Sequence, residues 1–269
     1  MKERIQITVE DGVADVRLIR SDKMNALDDR MFDAIIEAGE LLRNDPAIRV
    51  VVLSGEGKAF CAGLDMGNFA DIADGVTQQE SPIGLDRLAT RTHGIANKPQ
   101  YAAWMWRELP VPVIAAVHGV AFGGGFQIAL GADIRYVAPG TRMSVMEIKW
   151  GLVPDMAGTQ LMRHLAREDV VRELTYTGRV FEAEEARELG FVTRVCEDPH
   201  AEAIAVARSI AARNPDAIRA DKELLNQALH LDPAQGLLLE SRLQDQIMGK
   251  PNQVEAVVAA IEGREAHYT

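Results

Sequence analysis

Two glycine-bearing turns carry the strongest indication of chemistry in this chain. The first, SGEGKAFCAGLDM at 54–66, follows the apolar run at 50–53; the second, HGVAFGGGFQIAL at 118–130, follows the apolar run at 113–117. Each pattern predicts a buried strand, a turn and a helix, and ligands bind at that edge of α/β sheets. Because helix N-termini leave N–H groups unpaired, two such turns side by side would direct two donors at one oxygen, as an oxyanion hole does. For either turn alone, close packing explains the glycines as well.

Two acids could supply proton transfer beside such a hole. Glu147 stands between apolar neighbours, and desolvation would raise the pKa of its carboxyl group towards a value suited to general acid–base work. Asp155 follows eight positions later, after a glycine and a proline that rule out one continuous helix, so a compact turn would have to bring the two together. The alternatives are an ion pair of Glu147 with Lys149 or an arginine that serves only stability, and an N-cap role for Asp155.

Gln127 follows the three glycines and raises a separate question. An amide cannot exchange a proton near neutral pH; it can only donate and accept hydrogen bonds. Two interpretations stay open for Gln127: a structural amide that satisfies the turn, or a contact to the substrate.

The composition excludes several classes of protein. The formal charge of −11 over 269 residues argues against nucleic-acid and anionic-membrane partners, and two cysteines are too few for a disulfide framework. Without a signal, transit or membrane segment, the expected location is cytoplasmic. Nucleotide-binding P-loop, G-x-S-x-G and metal-ligand patterns are missing from the sequence. A dinucleotide-binding fold is disfavoured, since Ile128 stands where the third glycine of its motif should be.

The order of elements predicts an α/β protein with a helical C-terminal region. Alternation at 5–18 indicates a hairpin, short apolar runs indicate strands at 50–53 and 113–117, and a further strand is predicted at 134–137. Helical spacing covers 24–42, about 156–165 and 181–189, while 66–107 is long for a connection and suggests a lid that Trp104, Met105 and Trp106 would pack. The predicted division is a catalytic core at 1–195 and a helical region at 196–269 for packing and oligomerisation.

Several segments together resemble the crotonase (enoyl-CoA hydratase/isomerase) family. They occur in the family's order and spacing between about Ile5 and Val195: IRSDKMNAL, SGEGKAFCAGLD, AAVHGVAFGGGFQIALGADIRY, MEIKWGLVPDMAGTQLMRHL and LTYTGRVFEAEEARELGFVTRV. The resemblance implies a spiral of β-β-α units with a helical C-terminal region that packs in trimers, often paired into hexamers. It implies an acyl-CoA substrate held as an enolate at the thioester carbonyl. No metal, nicotinamide or flavin is implied, and coenzyme A is part of the substrate.

Residue by residue, the resemblance assigns the backbone N–H groups of Leu64 and Gly124 as the oxyanion donors. It places the coenzyme A contacts at Lys23, Met24 and Ala26, although Lys23 is equally consistent with a solvated surface lysine. Asp65 is expected to cap the following helix. The remaining residues assigned to substrate binding lie around the first turn and after the second: Ala62, Gly63, Asp65, Met66 and Gln127.

The resemblance is incomplete at the acid–base positions. Hydratases of the family use two glutamates, one at the position of Gln127 and the other at Glu147, so only one remains here. Glu147 with Asp155 resembles the dienoyl-CoA isomerase branch, although that branch has aspartate at the position of Gln127. The favoured function is therefore double-bond isomerisation. The alternatives are enoyl-CoA hydration with Gln127 holding water, and a non-catalytic protein that binds or assembles on acyl-CoA.

Overall fold

The computed structural model describes residues 1–65 and 88–269. In these ranges the strands are β1 (Ile5–Glu10), β2 (Val13–Leu18), β3 (Val50–Gly55), β4 (Val113–Val117), β5 (Val120–Phe122), β6 (Ile134–Val137), β7 (Arg142–Ser144), β8 (Phe181–Glu182) and β9 (Arg194–Val195). The larger sheet has the order β1-β2-β3-β4-β6-β9, with only β1 antiparallel to its neighbour. The smaller sheet has the order β5-β7-β8, in which β5 and β7 are parallel.

Helices surround these sheets and make up the C-terminal region. They are α1 (Asp29–Asn44), α2 (Lys98–Glu108), α3 (Gly124–Gly131), α4 (Gly158–Met162), α5 (Glu168–Thr177), α6 (Ala183–Glu188), α7 (Pro199–Ala211), α8 (Pro215–Ala228), α9 (Pro233–Ile247) and α10 (Pro251–Glu262). Short 3₁₀ turns cover Ser21–Lys23 and Glu147–Trp150. Across the described ranges, none of the helices has the length and apolar character needed to cross a bilayer.

The central strands are buried on both faces, as their apolar runs predict. Along β3, Val51 and Leu53 belong to the main core, whereas Val50 and Val52 belong to a second apolar cluster under α7. Helix α7 contributes to that cluster alanines spaced four residues apart, which share one helix face. These are Ala203, Ala207 and Ala211.

The opening hairpin confirms the alternation at 5–18. Every residue of β1 pairs with a residue of β2, from Ile5 opposite Leu18 to Glu10 opposite Val13. The turn between the strands has positive φ at Asp11 and Gly12, 49° and 79°. Two left-handed residues match the twist of the paired strands, and aspartate–glycine is a favoured pair for such a turn.

Three predicted helices are wrong at their ends, and the four short strands β5, β7, β8 and β9 are missed. Helix α1 begins five residues after Met24, because 24 and 25 have positive φ and the side chain of Asp28 caps the helix by accepting from Met31 N at 2.8 Å. The helix predicted at 156–165 is reduced to α4, and the segment at 181–189 begins as β8 before α6. Strand β5 lies between β4 and the second glycine turn, where three residues are too few to show periodicity.

The lid interpretation of 66–107 is wrong for its C-terminal part. Residues 98–108 form α2, whose N-cap Asn97 makes a capping box with Gln100. Trp106 and Met105 are buried in the main core, 0% and 1% exposed, because α2 packs between α1 and α3. Trp104 donates to Glu108 Oε1 at 2.7 Å instead of covering a pocket. The part of the predicted lid at 66–87 lies outside the described residues.

The C-terminal helices differ in how they meet the rest of the chain. Helix α7 packs directly on the larger sheet, through contacts with β2, β3, β4 and β6. Helices α8 to α10 carry large apolar side chains that are exposed, including Leu225, Leu237 and Ile261. The division at residue 195 and the role of residues 196–269 in oligomerisation stay predictions.

A buried lysine fixes α8 to the core and allows a stability prediction. Lys222 Nζ donates to the carbonyls of Trp106 and Val111 at 3.0 and 2.8 Å and to Asp133 Oδ2 at 2.9 Å. Desolvation lowers the pKa of Lys222, and Asp133 opposes that shift. We expect Lys222→Ala to lower the free energy of unfolding by about 2 kcal/mol, because two backbone carbonyls lose their buried donor. The partly exposed Asp133 keeps its hydrogen bond from Val113 N at 2.7 Å.

Chemical denaturation of Lys222→Ala beside Lys58→Ala measures this effect. Lys58 is exposed, so its removal should change the free energy of unfolding by no more than about 0.5 kcal/mol. Equal, small effects of the two substitutions would contradict a structural role for Lys222.

Candidate active site

The two glycine turns lie side by side, as predicted, because they follow β3 and β4, which are adjacent parallel strands. Cys61 forms a parallel bridge with Ala121, with Cys61 N donating to Val120 O and Phe122 N donating to Cys61 O, both at 3.1 Å. Leu64 and Gly124 each lie three residues further along these two segments. A Cβ atom added at Gly63 would lie 3.8 Å from Gly124 N, so the turns are still in contact there.

The N–H groups of Leu64 and Gly124 are left available at this point. Around Leu64, the neighbouring groups are used: Leu27 N donates to Gly63 O at 2.8 Å, and Asp65 N donates to Leu27 O at 3.0 Å. Gly124 is the first residue of α3, where a helical N–H has no partner in its own helix. Within residues 1–65 and 88–269, neither N–H donates to an acceptor.

Each of the three consecutive glycines meets a separate steric demand. Gly123 has φ of +50° and ψ of −117°, and its ideal Cβ would lie 3.3 Å from Glu147 Oε1. A Cβ on Gly124 would meet Met156 Sδ at 2.7 Å, and one on Gly125 would meet Cys61 O at 2.4 Å. The turn therefore requires glycine for a positive φ beside a carboxylate at Gly123, and for close contacts with Met156 at Gly124 and with the other turn at Gly125.

Glu147 reaches this point from the smaller sheet. Strands β5 and β7 end together, since Phe122 pairs with Ser144 and Gly123 N donates to Ser144 O at 3.0 Å. The chain leaves β7 and enters the 3₁₀ turn that begins at Glu147, which is 9% exposed. The same pair of strands therefore delivers the Gly124 N–H and the Glu147 carboxylate to one place.

The carboxyl group of Glu147 is buried, and no cation of residues 1–65 or 88–269 pairs with it. Its Oε2 is fully covered and has no hydrogen-bond partner in the described part of the chain. Burial raises the pKa of Glu147, the hydrogen bond from Gln127 offsets part of that rise, and the negative charge of Asp155 adds to it. Lys149 lies over Trp150, with Nζ 5.2 Å from the ring centroid. Within residues 1–65 and 88–269 no lysine or arginine pairs with Glu147, so the alternative of an ion pair that serves only stability is not found there.

Gln127 contacts Glu147 directly. It lies in α3, is 1% exposed and donates from Nε2 to Glu147 Oε1 at 2.6 Å. Its Oε1 accepts from Met156 N at 2.9 Å and from Gly158 N at 2.8 Å. Of the two open interpretations, the structural one describes these contacts, but the group that Gln127 serves is the candidate acid.

Asp155 lies close enough to Glu147 to influence its titration. The residue is exposed at the surface, and partial desolvation raises the pKa of its carboxyl group; because of that exposure, this shift carries less weight than that of Glu147. The N-cap interpretation of Asp155 is wrong, because α4 begins at Gly158 and its N-cap is Ala157, with no side-chain cap.

The predicted coenzyme A contacts meet the first turn. Ala62 N donates to Met24 O at 2.9 Å, and the bonds between Leu27 and residues 63 and 65 continue this pairing. Ala26 is buried, whereas Lys23 and Met24 are exposed.

Asp65 pairs with Arg20 Nη1 at 2.6 Å. The helix that Asp65 was expected to cap, and the predicted substrate contact Met66, lie outside the described residues.

Three contributors to the site are missing from the sequence prediction. Leu27 holds the first turn through two backbone bonds, and the N–H groups of Met156 and Gly158 hold Gln127. The sequence does show Gly158 beside the candidate acid Asp155. A Cβ there would lie 2.6 Å from Gln127 Oε1, which explains the glycine only once the fold is known.

A separate surface cavity of about 460 Å³ opens where α7 begins. Its lining includes His200 and the first residues of the two turn segments, 54–57 and 118, but none of the residues assigned to catalysis or substrate binding. The cavity therefore does not belong to the arrangement around Glu147.

Comparison with known proteins identifies the family of the chain. The sequence model of the family described as enoyl-CoA hydratase/isomerase matches residues 8–269. A protein named probable enoyl-CoA hydratase from Mycobacterium bovis is 31% identical over 271 residues, which cover 99% of this chain and 98% of that protein. The mitochondrial Delta(3,5)-Delta(2,4)-dienoyl-CoA isomerase of Mus musculus is 33% identical over 227 residues, which cover 82% of this chain and 68% of that protein.

Solved structures agree on the fold. The crystal structure of enoyl-CoA hydratase from Bacillus anthracis superimposes with a TM-score of 0.86 at 27% identity, covering 98% of both chains. The match extends through the helical C-terminal region, and the mixed α/β architecture with that region is the predicted fold class. The chain therefore belongs to the enoyl-CoA hydratase/isomerase family and is an enzyme of the crotonase superfamily.

Proposed function

We propose that the enzyme moves a double bond in an unsaturated acyl-CoA thioester. The observation that carries this proposal is the position of the buried carboxylate of Glu147 against the second glycine turn. In the described part of the chain, that carboxylate has no cation beside it, and the N–H groups of Leu64 and Gly124 have no acceptor. Two N–H donors suit the oxygen of a thioester, and a carboxylate with a raised pKa suits proton transfer at a neighbouring carbon.

In the proposed reaction, the thioester oxygen accepts hydrogen bonds from Leu64 N and Gly124 N. Glu147 removes a proton from the α-carbon of a 3-enoyl thioester, and the electron pair is delocalised onto the thioester oxygen as an enolate. Return of the proton to the γ-carbon, from Glu147 or from Asp155, restores the carbonyl and leaves the double bond between the α- and β-carbons. One proton is removed and one is returned, so the reaction needs no co-reactant.

The remaining predicted contacts would hold the substrate around this centre. Lys23, Met24 and Ala26 would contact coenzyme A, with Lys23 near a phosphate, because that segment hydrogen-bonds to the first turn. Ala62, Gly63, Asp65 and Met66 would contact the thioester end.

Hydration of enoyl-CoA is the second candidate function. Proteins named as hydratases, including the one from Mycobacterium bovis, are similar over almost the whole chain. Against this candidate stands Gln127, which cannot exchange a proton. The third possibility is a non-catalytic protein that binds acyl-CoA.

Three thioesters distinguish these functions. We expect wild-type enzyme to convert a 3-enoyl-CoA or a 3,5-dienoyl-CoA much faster than it hydrates crotonyl-CoA, because one carboxylate suffices for proton transfer but not for paired activation of water. Product analysis by liquid chromatography measures the three rates. Water addition to crotonyl-CoA as the fastest reaction would support the hydratase, and inactivity on all three with coenzyme A binding intact would support the binding protein.

We also propose a homo-trimer or hexamer in the cytoplasm, without nucleic-acid or membrane partners. The exposed apolar side chains of α8 to α10 support the oligomer, because isolated large apolar side chains are common on surfaces whereas several along neighbouring helices favour association. Analytical ultracentrifugation measures its size.

A further inference from the structure

The amide of Gln127 connects two parts of the active site. Its Oε1 accepts from the backbone N–H groups of Met156 and Gly158, and its Nε2 donates to Glu147 Oε1. All of these contacts are 2.6–2.9 Å long and involve buried atoms. The contacts therefore join helix α3, the segment beside Asp155 and the candidate acid.

The contacts fix the direction of the amide. Turning it over would place its NH₂ group against two backbone N–H donors and its oxygen against the Glu147 carboxylate. Donors would then face donors, and an acceptor would face a negative charge. The two backbone N–H groups thus ensure that Gln127 presents a donor to Glu147.

This direction has two consequences for Glu147. First, Oε1 is held by Gln127, whereas Oε2 has no partner in the described residues, so Oε2 is the oxygen left to carry a proton. Second, Oε1 of Gln127 already accepts two hydrogen bonds, which use both of its lone pairs. Gln127 can therefore neither take a proton nor accept one from a water molecule.

We propose that Gln127 is a positioning residue that holds Glu147 Oε1, so that Oε2 alone transfers the proton. Because Gln127 cannot help to activate water, this arrangement favours proton transfer over hydration. The inference rests on the proposed function for its reaction, but its contacts are independent of which thioester is converted. It assigns the amide a role that a simple support for the turn would not have.

Gln127→Glu tests this inference most sharply. The introduced carboxylate would still accept from Met156 N and Gly158 N, but it would place a second acid at the 2.6 Å contact with Glu147. Two carboxylates in such contact share a proton, so the loss of that shared proton, the second ionisation of the coupled pair, is displaced upward. We expect the acid limb of the kcat profile for isomerisation to move up by about one pH unit or more.

Gln127→Met and Gln160→Glu complete the design. Gln127→Met removes the donor to Glu147 without adding a charge, so the acid limb should again move up. Gln160 is exposed in α4, and Gln160→Glu adds the same charge nearby and should leave the limb in place. An unmoved limb in both variants at position 127 would overturn the inference.

A thermodynamic readout separates this inference from the proposed function. The pH dependence of unfolding, compared with and without Glu147→Gln, reports the proton linkage of Glu147 whether or not the enzyme is active. A linkage that moves in Gln127→Glu, with no conversion of any thioester, would reject the proposed function and retain the contact. A linkage that stays in place would reject the positioning role, whatever the activity.

Discussion

Replacing Glu147 with glutamine should lower kcat for isomerisation by roughly 10²–10⁴-fold, the contribution typical of a general acid–base group. The introduced side chain has nearly the same shape and can still accept from Gln127 Nε2, but it cannot take a proton. The KM for the thioester should change little, because the two N–H donors and the coenzyme A contacts remain. Steady-state kinetics on a 3-enoyl-CoA measures both constants.

The same variant should remain folded, and its free energy of unfolding should rise at neutral pH although its kcat falls. Burial raises the folded-state pKa of Glu147, so the folded state binds its proton more tightly than the unfolded state does. Stability from this group is therefore fully present below the unfolded pKa and is lost as pH rises through the folded pKa. Glu147→Gln should match the wild type in acid and be the more stable protein at neutral pH.

These two results together test the role of the carboxylate. A variant that retains more than a third of the wild-type kcat would contradict proton transfer by Glu147. A variant that is less stable than wild type at neutral pH would contradict the burial of an unpaired carboxylate there.

Gly124→Ala should lower kcat by roughly 10²–10³-fold, the usual effect of losing one oxyanion donor. Its added Cβ would come within 2.7 Å of Met156 Sδ and 2.8 Å of Leu27 Cδ1. Real Cβ atoms do not approach so closely, so either the ends of the Met156 and Leu27 side chains or the start of α3 must shift. We expect α3 to move in part, which turns the Gly124 N–H away from the thioester oxygen. Single-turnover kinetics at saturating thioester measures the chemical step.

Gly236→Ala is the matched control for this substitution. Gly236 lies in α9, and nothing comes within 4 Å of its ideal Cβ. The same change there should leave kcat unaltered and stabilise the helix by about 0.5–1 kcal/mol. If Gly124→Ala retained the wild-type single-turnover rate, the expected displacement of the residue 124 amide from the thioester oxygen would be contradicted.

The sequence predicts the frame of this molecule well where one physical requirement dominates. Strands β3 and β4 contain the apolar runs at 50–53 and 113–117, because strands buried on both faces must be largely apolar. It fails where local patterns compete: Asp28 is a better helix start than Met24, but apolar spacing alone extends the helix backwards. The sequence predicts residues 98–107 as part of a lid, because aromatic residues there could pack a lid as well as the core in which the structure places them.

For the site, the sequence indicates which residues matter better than it indicates what they touch. The two glycine turns, Glu147 and Gln127 could be singled out from residue type, spacing and family resemblance. The bonds from Met156 and Gly158 to Gln127 could not, because they depend on a tertiary contact between segments 29 and 31 residues apart. The direction of one amide, and with it the working oxygen of Glu147, follows only from those bonds.

The central claim is that Leu64 N and Gly124 N bind the thioester oxygen while Glu147 faces the carbon skeleton. A crystal structure of Glu147→Gln with a bound 3-enoyl-CoA measures it most directly. We predict that the thioester oxygen lies within about 3 Å of both nitrogen atoms, with the side chain at position 147 beside the α- and γ-carbons. A thioester oxygen bound elsewhere, or a side chain at 147 directed away from those carbons, would contradict the account.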